Sequence, residues 1–114
     1  MERNLKRQTD KQKRPIMATY AISFRIADKG NDSERYKSFV DAVKSKNSHS
    51  SIWEETTSFI LIKSDSMVNT LAFILAMSEI DDEQGDKFIV INTETNEAAH
   101  YGISYPNTFD SLFN

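Results

Sequence analysis

The sequence predicts an α+β fold over residues 17–114, on three observations. Four short runs either alternate apolar and polar residues with a period of two or are apolar throughout. Two stretches between them carry apolar residues at helical spacing. The order that results is strand, helix, strand, strand, helix, strand. That order is the split βαβ plan of a ferredoxin-like βαββαβ sandwich: an antiparallel sheet with two helices on one face, here with a short extra C-terminal strand.

The first strand is expected over Thr19 to Ala27, where Tyr20, Ile22, Phe24 and Ile26 alternate with smaller or polar residues. Asp28 to Asp32 then read as a turn, with Asp32 or Ser33 placed to cap a helix. On that helix Tyr36, Phe39, Val40 and Val43 recur at i, i+3, i+4 and i+7, while Arg35, Lys37, Asp41 and Lys44 face water. After a polar loop over 46–51, Ile52 to Thr56 and Ser58 to Lys63 read as two strands joined by a tight connection. Phe59-Ile60-Leu61-Ile62 is apolar on both parities, which suits a central strand covered on both sides.

Ser64, Asp65 and Ser66 make a cap cluster before a second helix over Met67 to Met77. That helix is apolar around most of its girth, with Phe73 and Met77 outside the main stripe, so it has to be buried twice. Either a C-terminal segment or a second subunit covers the other side, and Phe73 and Met77 are the candidate dimer interface. Asp81 to Asp86 form an acidic loop, Lys87 to Asn92 a strand, and Glu97 to Ser104 a fifth, shorter strand. Phe109, Leu112 and Phe113 read as a terminal turn that docks back on the body.

Composition narrows the function. With 39% hydrophobic and 27% charged residues, the chain has the balance of a folded water-soluble domain. No run approaches the roughly twenty apolar residues a membrane span needs, and the N-terminal stretch lacks the apolar middle of a secretory signal. The expectation is cytoplasmic, without membrane contact. The absence of cysteine excludes disulfides, thiolate metal sites and cysteine nucleophiles, leaving His49 and His100 as nitrogen ligands or bases.

Charge divides the chain. Residues 1–16 hold six basic side chains against two acidic ones, a net of +4, and read as a disordered basic leader or tag dispensable for folding. Residues 17–114, the single folded domain, hold eight basic against fifteen acidic, a net of −7. Such a body repels nucleic acid at long range and suits a basic protein partner.

Individual groups fit poorly to chemistry. Asp81, Asp82, Glu83 and Asp86 lack the alternate ligands and distal glutamate of a calcium loop. Glu54 and Glu55 point to opposite faces of a strand, so they do not form an acid and base pair. His49 and His100 have no carboxylate beside them in sequence. Trp53, on a strand beside acidic residues, is a packing or partner-binding candidate.

The Tyr20 to Phe24 strand, Trp53 before Thr56-Thr57-Ser58, Phe59-Ile60-Leu61-Ile62, Asp86-Lys87-Phe88-Ile89-Val90-Ile91, Ala98-Ala99-x-x-Gly102-Ile103 and Leu112 follow one another in an order that resembles the small proteins related to the CRISPR-associated small endonuclease and to virulence-associated protein D. The resemblance implies a ferredoxin-like homodimer, in some members a magnesium- or manganese-dependent nuclease or toxin, in others an adaptor. It also implies an aspartate metal ligand at the end of the first strand, where this chain has Arg25. A guanidinium only donates and stays protonated, so Arg25 suits an anionic group or partner instead of a metal. Asp28, three residues on, is the remaining candidate for a catalytic or metal-binding carboxylate. The expected function is therefore a small dimeric interaction module of antitoxin, adaptor or inhibitor type, with no cofactor. The alternative is a divalent-metal nuclease acting through Asp28 at the dimer axis.

Overall fold

In the computed structural model, which describes residues 17–113, one antiparallel sheet is built from β1 (Ala18–Arg25), β2 (Trp53–Thr56), β3 (Phe59–Ser64), β4 (Lys87–Asn92) and β5 (Ala98–Tyr101). Three α-helices accompany it: α1 (Asp32–Ser45), α2 (Val68–Ala76) and α3 (Pro106–Ser111). A 3-10 turn spans Asp82–Gln84. The strand order is β2-β3-β1-β4-β5, and β1 pairs with both β3 and β4. The fold is α+β, as the pattern predicts. The basic leader lies outside the described residues.

Period two decides which side of the sheet is the core. Tyr20, Ile22 and Phe24 of β1, Ile60 and Ile62 of β3, and Phe88 and Val90 of β4 are buried on one face. Phe39 and Val43 of α1 and Val68, Leu71 and Leu75 of α2 close over them. The Phe39 ring fixes α1 in place, lying 4.8 Å from that of Phe24 and 5.4 Å from that of Phe88. Such tilted aromatic pairs add to burial. Lys44 Nζ reaches Glu54 Oε2 at 3.1 Å and ties α1 to the edge strand β2.

Several expectations are corrected. Arg35 does not face water but is 1% exposed, because a buried carboxylate waits for it. The residue before α1 is Asn31, and its amide does not cap the helix: Oδ1 accepts from Arg35 Nη1 and Nδ2 donates to Glu34 Oε1. Met67 precedes α2, again without a side-chain cap, and Ser64 is instead a buried residue at the end of β3. Among the described residues the helices cover β3 on one side only, since Phe59 and Leu61 face away from them and are half-buried. The terminal turn holds the helix α3, whose Phe109 is half-buried, as is Phe113 beyond it, while Leu112 between them is 75% exposed. Phe73 and Met77 of the α2 segment also stay exposed, at 67% and 70%, so among the described residues no segment covers that side.

Candidate interaction surface: the open face of the sheet

The face of the sheet turned away from α1 and α2 is ordered in rows by strand register. One row crosses all five strands as Trp53, Leu61, Ala21, Ile91 and Ala98. The next runs Thr56, Phe59, Ser23, Ile89 and His100. Both rows are framed by basic residues. At one end Arg25 pairs with Lys87, and at the other Lys63 pairs with Thr19. Among the described residues, no aspartate or glutamate occupies an open-face position of β1, β3, β4 or β5.

The aliphatic side chains on this face shield one another and are half-buried, whereas Trp53 on the edge strand is 39% exposed. Its indole meets the Phe59 ring edge-on at 6.2 Å. Beside it lies a recess of about 340 Å³ lined by Thr19, His49, Ser51, Trp53, Leu61 and Lys63. His49 at the recess accepts a hydrogen bond at Nδ1 from the Ser51 N–H. At the far edge, α3 approaches β5: the Phe109 ring stands edge-on to His100 at 5.2 Å, and His100 Nε2 lies 3.1 Å from Asp110 Oδ1. Three carboxylates thus reach the rim: Asp110 at His100, Glu94, whose Oε2 lies 3.4 Å from the Thr19 N–H, and the exposed Glu55 beside Trp53 on the edge strand, opposite Glu54.

The Arg25 and Lys87 end of the face is held by a buried polar latch. Asp86 Oδ2 accepts from Arg35 Nε at 2.8 Å and from the Asp81 N–H at 3.0 Å. Its Oδ1 accepts from the Ala27 N–H at 2.7 Å and from Arg35 Nη2 at 3.3 Å. The guanidinium also donates to the carbonyls of Ala27 and Lys29 and to Asn31. Every donor and acceptor of the pair has a partner, the condition under which two charges are tolerated out of water. Burial pushes the Asp86 carboxyl up, but the Arg35 guanidinium and the two backbone N–H groups outweigh it and hold the group below its ordinary value. The bond to Asp86 raises Arg35 further above its already high value.

The structure brings Arg25 and Trp53 onto the same face and places Phe73 and Met77 on the outer side of the helix layer. Asp28 is exposed in the bend after β1. Among the described residues, no group of three or more His, Asp or Glu side chains is placed to hold a metal ion, and Asp28 is joined by none. Sequence reasoning did not find Lys63, Lys87, Ile89 and Ile91 as members of the face, nor Arg35 and Asp86 as a pair. Comparison of the chain with family models, with curated proteins and with solved structures finds no match.

Proposed function

We propose that this chain is a small homodimeric interaction module of ferredoxin-like plan that carries out no reaction of its own. The observation that carries the reading is the outer side of α2. Phe73 and Met77 are neighbours at i, i+4, both largely exposed, and the first and last turns of the helix hold no charged residue. An exposed, uncharged apolar face suits a second copy, because a two-fold contact sets like against like and here there is no charge to repel. The strand order β2-β3-β1-β4 with its two intervening helices supports the ferredoxin-like plan, and β5 extends it. On the helix layer Glu34, Lys37, Asp41 and Glu79 line a shallow hollow; Lys37 pairs with Asp41 at 2.8 Å, which leaves Glu34 and Glu79 for a basic partner of the kind implied by the acidic body.

Light scattering at micromolar concentration is expected to give a dimer mass. Phe73→Ser together with Met77→Ser is expected to raise the dimer dissociation constant at least about tenfold, each substitution removing more than a kcal/mol of apolar burial. A monomer mass for the native chain at every concentration would overturn the reading.

The nuclease alternative predicts the opposite in a second assay. Arg25 and Lys87 stand as register partners at the end of β1, so a divalent cation held there meets two positive charges. No cleavage of labelled single- or double-stranded DNA or RNA is expected with magnesium or manganese. Cleavage by the native chain that Asp28→Asn abolishes would replace the interaction module with the nuclease.

A further inference from the structure

We infer that the open face of the sheet is a docking site for an acidic amphipathic helix of another protein. The inference deepens the reading of the chain as an interaction module and does not depend on the dimer. Three features select the occupant. The centre of the face is aliphatic, with Leu61, Ile89, Ile91 and Ala21 dominating its two rows, so the partner must bring an apolar stripe. Arg25 with Lys87 makes one end basic, and Lys63 stands at the other with Glu94 beside its register partner Thr19, in a body whose net charge over 17–114 is −7. Finally, Arg25 and Thr19 stand six residues apart on β1, which separates the basic ends by about 20 Å at ~3.3 Å per residue. A helix covers that distance in about 13 residues. Its ends would carry the carboxylates and its middle the apolar stripe.

The same features argue against the other occupants. A second copy seated on this face would set basic strand positions against basic strand positions. The leader of this chain carries +4 and meets the same repulsion. Single-stranded nucleic acid needs a series of exposed rings on which successive bases stack, whereas on this face Trp53 alone is exposed and Phe59 is half-buried against its edge, in a body of net charge −7 that repels phosphate.

Trp53 is the single tryptophan of the chain and sits on this face, so its emission reports occupancy directly. The full chain is titrated with a synthetic peptide of about 14 residues bearing leucines at i, i+3, i+4 and i+7 and glutamates at both ends. A peptide with lysines at the ends and an oligothymidylate of equal length are titrated in parallel. The acidic peptide is expected to bind in the micromolar range and shift Trp53 emission to the blue, with the lysine peptide and the oligonucleotide silent. The combination Arg25→Glu, Lys63→Glu and Lys87→Glu is expected to weaken it at least about tenfold at low salt. Phe73→Ser with Met77→Ser is expected to leave peptide binding intact, which separates this site from the dimer contact. Binding of the oligonucleotide but not the acidic peptide would overturn the inference in favour of nucleic acid. A Trp53 shift that follows protein concentration without peptide would overturn it in favour of a second copy. Silence of the native chain toward all three probes would overturn it outright.

Discussion

Asp86→Asn is expected to destabilise the protein by about 3 kcal/mol, the cost of leaving a buried charge without its counter-charge. The side chain is fully buried and accepts four hydrogen bonds, two from the Arg35 guanidinium and two from backbone N–H groups. An amide of the same shape keeps one acceptor oxygen and turns the other position into a donor that faces donors. For a domain of this size the midpoint of thermal unfolding should fall by roughly 12–24 °C. The pH dependence follows with a definite sign. The carboxyl lies below its ordinary value of 3.8 in the folded protein. Its contribution is therefore present above the unfolded value and lost as pH falls through the folded one. Melting curves below pH 4 should show this loss in the native chain and not in Asp86→Asn. Replacing both partners, as in Arg35→Met with Asp86→Leu, should recover part of the stability but not all of it. Arg35 also satisfies the carbonyls of Ala27 and Lys29, which an apolar pair leaves unbonded. A midpoint for Asp86→Asn within about 4 °C of the native one would show that the latch does not hold the fold.

The position of Arg35 also shows where sequence reading stops. Helical periodicity sorts residues by hydropathy, and at its position an arginine is sorted to the water side. Its partner stands 51 residues away in what reads as a solvated acidic loop, and nothing local connects the two. Strands fared better because alternation is itself the physical cause of their facing: Tyr20, Ile22 and Phe24 are inward as read, and only the ends moved by one to three residues. The double parity of Phe59 to Ile62 was legible as a demand for cover on both sides. Among the described residues the helices cover one side only, and Phe59 and Leu61 on the other are half-buried. For the open face, the missing quantity was register. Arg25, Lys63 and Lys87 are scattered in sequence and become the frame of one surface only when β1 pairs with β3 and β4. His100 likewise has no carboxylate beside it in sequence, yet Asp110 reaches it because α3 folds back along β5.

Gly102→Ala is the second substitution with a large expected effect, about 3 kcal/mol, and it acts on the same residue from the other side. Gly102 follows β5 with φ +74°, in the left-handed region that costs an L side chain free energy. A Cβ there would also press into the backbone carbonyl of Asp86 and lie 3.2 Å from Cβ of Asp82. Backbone cannot step aside as a flexible side chain can, so either β5 or the latch must shift. Gly30→Ala is the control. It has φ +59°, but its Cβ meets the end of the Gln84 side chain at 3.0 Å, and a rotamer change relieves that contact. Its cost should stay near 1 kcal/mol, the conformational part alone. Chemical denaturation of the two variants separates backbone contact from backbone conformation. Because β5 carries Ala98 and His100 on the open face, Gly102→Ala should also weaken binding of the acidic peptide, while Gly30→Ala should not. Equal losses of stability in the two variants would show that left-handed conformation alone, and not the approach to Asp86, requires glycine after β5.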